Sequence, residues 1–138
     1  MNKQLIGLFG GTFDPIHRGH LQIAQELIDT LPLKAIHFIP NKSPTYRDKP
    51  EASADHRLAM AQIATAKNPQ FIVNDIEMKR TGPTYTIDTI TRIHQETPDQ
   101  PFCLILGNDA FSIMNTWHGW GKIPELVHLI IINRPGIT

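Results

Sequence analysis

Short apolar runs alternate along the chain with longer stretches in which apolar residues recur every three or four positions. The runs Leu104–Leu106 and Leu129–Ile132 are apolar without interruption, which is typical of strands covered on both faces. The spacing from Leu21 to Leu31 predicts an amphipathic helix. Strands alternating with helices predict the α/β class, as a doubly wound, Rossmann-like parallel sheet of about five strands with helices on both faces and right-handed crossovers.

The predicted elements follow one another in a regular order, and the length of 138 residues suits one domain, residues 1–138. A polar loop from Pro40 to Ser53 separates the second strand from the second helix. The predicted strands are Gln4–Phe9, Lys34–Ile39, Phe71–Ile76, Phe102–Leu106 and Leu129–Asn133. The predicted helices are Gly19–Leu31, Ala54–Lys67, Tyr85–Glu96, Asp109–Asn115 and Ile123–His128.

The most informative segment runs from Gly10 to His20, between the first strand and the first helix, and reads Gly-Gly-Thr-Phe-Asp-Pro-Ile-His-Arg-Gly-His. In an open parallel sheet this turn lies where such folds bind ligands, and the following helix N-terminus favours phosphate. Gly10 and Gly11 can take backbone angles closed to other residues and let a ligand approach the main chain closely. His17 and His20 share one helix face, where an imidazole can donate to a phosphate oxygen and, when protonated, add charge. The segment is neither a P-loop nor G-x-G-x-x-G.

Composition narrows the classes of partner. The formal net charge of zero gives no sign of a nucleic-acid or membrane surface, and no apolar stretch reaches the ~20 residues that span a bilayer. The N-terminus leads straight into a strand without a signal-peptide pattern, so a cytoplasmic location is expected. The lone Cys103 rules out an internal disulfide. Zinc is not expected, because His17 and His20 lack further ligands at metal spacing.

The later strands also end in polar residues that the fold would bring to one edge. Lys42 and Arg47 could neutralise phosphates, or lie in a solvated turn. Asp109 could accept hydrogen bonds from ribose hydroxyls, or simply open a helix. Trp117 offers a stacking face for an aromatic ring, although tryptophans are more often core residues. Arg134 could pair with a phosphate or face water.

The segment from Gly10 to His20 resembles the H/T-x-G-H signature of the nucleotidyltransferase superfamily, in which the motif binds the triphosphate of ATP or CTP. Further segments narrow the resemblance to the bacterial nicotinate-nucleotide adenylyltransferases, over nearly the whole chain. They are Ile39-Pro40-Asn41, Arg80-x-Gly82-Pro83-Thr84-Tyr85-Thr86, Leu106-Gly107-Asn108-Asp109, Thr116-Trp117 and Asn133-Arg134-Pro135-Gly136.

The resemblance implies transfer of the adenylyl group of ATP to nicotinate mononucleotide, which gives deamido-NAD and pyrophosphate. Mg²⁺ would enter bridged by the ATP phosphates rather than held by the protein. The residues implied for ATP are Gly10, Gly11, Thr12, Phe13, His17 and His20, and the two histidines are also the catalytic candidates. Those implied for the mononucleotide are Asn41, Arg47, Thr86, Asp109, Trp117 and Arg134.

The sequence departs from this family in two places. Tyr46 stands where the family usually has a histidine. The family's second phosphate-binding motif, Ile-Ser-Ser/Ala-Thr-x-Ile/Val-Arg, is not found and would lie beyond Thr138, so the chain is expected to be truncated on its C-terminal side. A non-catalytic nucleotide-binding fragment of the same fold is therefore the alternative function. A sheet edge left uncovered would favour homo-oligomers.

Overall fold

Strands and helices alternate along the residues that the computed structural model describes, 4–42, 50–80 and 84–133. The strands are β1 (Leu5–Gly11), β2 (Leu33–Pro40), β3 (Phe71–Val73), β4 (Phe102–Gly107) and β5 (His128–Ile132). The helices are α1 (Arg18–Thr30), α2 (Ala54–Thr65), α3 (Thr86–Glu96), α4 (Asn108–Ser112) and α5 (Ile123–Leu126), with 3₁₀ turns at Met114–Thr116 and Trp120–Lys122.

All the strand pairs are parallel, and the sheet has the order β3-β2-β1-β4-β5. The chain builds from β1 outward through β2 and β3, and then returns to add β4 and β5 on the other side of β1. The reversal therefore lies between β1 and β4, where Ile6 pairs with Phe102 and Phe9 with Ile105. The predicted doubly wound, parallel sheet is confirmed.

Helices cover both faces of this sheet because its strands are apolar on both sides. All six residues of β4 are buried. On one face Phe9, Phe38 and Ile105 pack with Ala24 of α1 and Ala61 of α2. On the other face Leu8, Leu104 and Leu106 pack with Ile87, Ile90 and Ile93 of α3 and with Ile123 of α5.

Several boundaries differ from the predicted ones for local reasons. β1 continues past Phe9 because Gly10 and Gly11 pair in register with the end of β2. β3 ends at Val73 because the Asn74 side chain accepts a hydrogen bond from the N–H of Ile76, which turns the chain. The helix predicted at Asp109–Asn115 is divided into α4 and the 3₁₀ turn at Met114–Thr116.

No helix in the described part of the chain is long and apolar enough to cross a bilayer.

Candidate functional site

A cavity of about 390 Å³ opens at the carboxyl ends of β1, β2 and β4. It lies at the reversal of strand order between β1 and β4, which is where doubly wound folds bind ligands. The segment from Gly10 to His20 supplies eight of the eighteen described residues that line it. The cavity brings together these predicted site residues: Gly10, Gly11, Thr12, Phe13, His17, His20, Asn41, Thr86 and Trp117.

One described candidate, Asp109, is outside this group. Asp109 is exposed in the first turn of α4 and is not among the residues that line the cavity, although Gly107 and Ala110 are. Arg47 and Arg134 lie outside the described residues.

Gly10 and Gly11 have the extended backbone of β1 and do not use the wider range of angles that glycine allows. They differ instead in the space around them. A Cβ on Gly10 would meet no neighbouring atom closer than the carbonyl oxygen of Ile39, at 3.9 Å. A Cβ on Gly11 would lie 3.2 Å from two carbons of the Phe13 ring. Gly10 therefore leaves the cavity wall open, whereas Gly11 makes room for an aromatic ring.

The residue with a left-handed backbone angle in this segment is Phe13, with φ of 48°. Its ring is only 4% exposed and packs edge-on against Phe9, at 5.7 Å, and Phe38, at 5.9 Å between centroids. The His20 ring meets it at 5.1 Å and 87°. The turn after β1 is thus anchored to the core by a side chain at its tightest point.

The two histidines of the motif form the N-terminal cap of α1. His17 is the N-cap, and its Nδ1 accepts a hydrogen bond from the N–H of Gly19 at 3.1 Å. The Nδ1 of His20 accepts from the N–H of His17, also at 3.1 Å. This is a capping box in which imidazoles replace the usual hydroxyl and carboxylate. The rings stack at 3.9 Å between centroids, so the cap also sets their orientation.

The cap determines which nitrogen of each ring can serve a ligand. A neutral imidazole carries one proton, and a ring whose Nδ1 accepts a hydrogen bond carries that proton on Nε2. In the neutral tautomer that fits this cap, each ring has Nε2–H as its donor.

Asp14 belongs to the motif, but its carboxylate faces the segment before α2. It accepts hydrogen bonds from the N–H groups of Glu51, at 2.7 Å, and Ala52, at 3.0 Å. These two bonds are the main reason that the pKa of Asp14 lies below its ordinary value, and the charge of Arg57 adds to the effect. Asp14 therefore ties the motif to the chain that leads into α2.

Arg57 is a residue of the site that sequence reasoning missed. It lies on α2, it is 1% exposed, and its guanidinium donates to four backbone carbonyls around the cavity. An arginine one turn after a serine N-cap has no local pattern that distinguishes it from a surface residue. Only the packing of α2 against the loops reveals its role.

Glu77 also lines the cavity and was not predicted. Burial raises its pKa, and this outweighs the opposing effects of a hydrogen bond from Thr89, the charge of Arg80 and a hydrogen bond with Thr84. The Thr89 hydroxyl donates to Glu77 at 2.8 Å and accepts from Arg80 at 3.1 Å. The carboxyl is therefore fixed by α3 and the turn after β3.

Residues 4–42, 50–80 and 84–133 contain no group of three or more His, Cys, Asp and Glu side chains that could hold a metal ion.

The strand order, the covered sheet and the position of the cavity define the class of protein, a Rossmann-like α/β domain with its site at the reversal of the sheet. The model of the family described as cytidylyltransferase-like matches residues 8–138, and the chain belongs to that family.

Curated relatives carry a more specific name. A protein of Aeromonas salmonicida named probable nicotinate-nucleotide adenylyltransferase is 45% identical over 136 residues, which is 99% of this chain and 64% of that protein. A protein of the same name from Coxiella burnetii is 47% identical over 132 residues, 95% of this chain and 61% of its own length. The chain thus spans about three fifths of the length of these relatives.

Solved structures share the fold. The nicotinic acid mononucleotide adenylyltransferase of Plasmodium falciparum complexed with NaAD superposes with a TM-score of 0.78 at 18% identity, covering 98% of this chain and 77% of that one. The same Plasmodium protein complexed with APC gives a TM-score of 0.74 with the same coverage.

Proposed function

We propose that this chain carries the substrate cavity of a nicotinate-nucleotide adenylyltransferase. Its reaction would transfer the adenylyl group of ATP to nicotinate mononucleotide and release pyrophosphate, giving deamido-NAD. The observation that carries the proposal is the 45% identity over 136 residues to a relative of that name. The cavity supports the proposal, because nine of the site residues that the resemblance implies line this one cavity.

The two substrates are assigned to different parts of the cavity wall. ATP lies against the segment between β1 and α1, where the N-terminus of α1 and the Nε2–H groups of His17 and His20 offer donors to phosphate oxygens. The mononucleotide lies toward the ends of β2 and β4. Its proposed contacts are Asn41, Arg47, Thr86, Asp109, Trp117 and Arg134, and those of ATP are Gly10, Gly11, Thr12, Phe13, His17 and His20.

The reaction needs alignment more than it needs a base. The mononucleotide phosphate is already largely ionised near neutral pH. One of its oxygens forms a bond to the α-phosphorus of ATP, the bond from that phosphorus to the bridging oxygen breaks, and the electron pair leaves with pyrophosphate. The protein then contributes by holding the two phosphates in line and by donating hydrogen bonds where charge builds up. Neutral Nε2–H groups suit that second task.

Magnesium is proposed to enter with ATP. Asp14 is a carboxylate that lines the cavity, but both of its oxygens already accept hydrogen bonds from backbone N–H groups. The described residues offer no metal-binding cluster, which suits an ion held by phosphates and water. The ion would neutralise phosphate charge.

The test is pyrophosphate release by the purified chain with Mg-ATP and one of three acceptors: nicotinate mononucleotide, nicotinamide mononucleotide or phosphopantetheine. Release with nicotinate mononucleotide alone is the expected result. Binding of that mononucleotide in calorimetry without turnover would instead support the alternative, a non-catalytic binding fragment. A chain that binds neither substrate would refute both functions.

The role of the motif histidines is tested by His20→Ala. We expect turnover to fall about 10²-fold or more, as when one transition-state donor is removed, while affinity for the mononucleotide changes little. His56→Ala, an exposed histidine on α2, is the matched control. Equal losses in turnover and mononucleotide binding would contradict the assignment.

A further inference from the structure

Arg57 joins loops that lie far apart in the chain. Its Nη1 donates to the carbonyl oxygen of Thr12 at 2.8 Å and to that of Asn41 at 2.6 Å. Its Nη2 donates to Lys42 at 2.8 Å, and its Nε donates to Ala52 at 3.2 Å. One buried side chain therefore holds the segment after β1, the end of β2 and the chain leading into α2.

Nη1 is the informative donor, because its two bonds join neighbouring parts of the cavity wall that follow the adjacent strands β1 and β2. Thr12 belongs to the wall assigned above to ATP, and Asn41 to the wall assigned to the mononucleotide. The two residues also meet directly. The N–H of Asn41 donates to Gly11 at 2.9 Å, and its side-chain amide lies 3.4 Å from the Thr12 hydroxyl.

We propose that Arg57 is a positioning residue that sets the distance and alignment between the two substrate sites. This inference rests on the proposed function. Arg57 is not among the residues that line the cavity, so it acts through the backbone of Thr12 and Asn41. In-line transfer depends on that alignment, because a misplacement of about 1 Å can cost about 10²-fold in rate. Binding of either substrate alone depends on it much less.

Arginine suits this role because its donors are arranged in a rigid, planar fork. A lysine has one nitrogen on a flexible stem and cannot reach all four carbonyls at once. Asp14 reinforces the arrangement from the other side, since it accepts from the N–H of Ala52 while Arg57 donates to the carbonyl of the same residue.

The experiment compares Arg57→Lys with the wild-type chain. Arg57→Ala is unsuitable, because it would leave four backbone carbonyls without their hydrogen-bond donor. Arg92→Lys is the matched control, because Arg92 is an exposed residue of α3 that contacts only Glu96 among the interactions described for it. For Arg57→Lys we expect kcat to fall at least about 10-fold while the KM of each substrate stays within about 3-fold. We expect the control to match the wild type.

A second measurement does not depend on turnover. Hydrogen exchange at the N–H of Asn41 reports whether the two walls are still joined, because that group bonds to Gly11. We expect its protection to fall in Arg57→Lys while protection in β4 is unchanged.

The outcomes separate the two proposals. A wild-type chain that binds neither substrate refutes the proposed function, and the role of Arg57 with it. A wild-type chain that binds or reacts, alongside an Arg57→Lys chain with unchanged kcat and exchange, overturns the role of Arg57 alone. Two other results would also overturn it. An Arg57→Lys chain that fails to fold would assign the arginine to stability. An Arg57→Lys chain whose KM rises by the same factor as its kcat falls would assign it to simple binding.

Discussion

Alanine at Gly10 and at Gly11 should have opposite effects on stability, although the two residues are adjacent in one strand. Both have extended backbone that alanine adopts freely. Each substitution should therefore stabilise the chain by about 0.4–1 kcal/mol, because it removes conformational freedom from the unfolded state. This gain is common to both variants and cancels when they are compared.

The difference comes from the atoms that the new methyl group meets. At Gly10 the methyl group has 3.9 Å to its nearest neighbour, an ordinary contact. At Gly11 it would lie 3.2 Å from the Phe13 ring, whereas carbon atoms in contact prefer about 3.5–4.0 Å. The ring must move by a few tenths of an ångström, and it packs against Phe9, Phe38 and His20. Overpacking of this kind costs about 1–3 kcal/mol.

Thermal unfolding of the two variants measures that gap directly. At roughly 4 °C per kcal/mol, Gly11→Ala should melt roughly 4–12 °C below Gly10→Ala, which itself should match or exceed the wild type. Under the proposed function, Gly10→Ala should still weaken ATP binding, because the methyl group would project toward the ligand. Equal melting temperatures for the two variants would show that the Phe13 ring is free to move, and would refute the reasoning.

Three further predictions concern groups away from the cavity. Burial raises the pKa of the Cys103 thiol to about 11, so a maleimide should label it only after denaturation, and rapid labelling of the folded chain would contradict its burial. Burial lowers the pKa of His37 from its ordinary 6.5, so on acidification the unfolded chain takes up a proton before the folded chain does. The free energy of unfolding should therefore decrease as the pH falls below about 6.5. Urea titrations of the wild type and His37→Gln check this, since the variant should lose less stability on acidification. In the same titrations, Ile36→Ala at a fully buried position should lower the free energy of unfolding by about 2–5 kcal/mol. Ile63→Ala, at a position that is 76% exposed, should change it by no more than about 0.5 kcal/mol.

The doubly wound parallel sheet and the place of the motif could be argued from the sequence because they depend on local patterns. Apolar runs and helical spacing are visible within about ten residues, and β-α alternation then leaves few topologies open. The place of the motif at the end of β1 follows from the order of elements. Its residues line the cavity for that reason, as do Asn41 after β2 and Thr86 at the start of α3.

Other features could not be predicted because they depend on residues far apart in the chain. Arg57 and Thr12 are separated by 45 positions, and no spacing rule links them. The difference between Gly10 and Gly11 lies in the direction of each missing Cβ relative to one ring. The proposed roles of Asp109, Arg47 and Arg134 stay predictions.

The sequence by itself determined the alternation of strands and helices, the apolar character of the sheet and the location of the motif Gly10–His20, since each is encoded in neighbouring residues. Only the tertiary structure decided which motif residues face the cavity, which imidazole nitrogens accept hydrogen bonds in the cap of α1, and which buried arginine joins the segments after β1 and β2. These depend on contacts that exist only when the loops after β1 and β2 pack against α2. Such contacts are set by the geometry of the whole sheet rather than by any one segment.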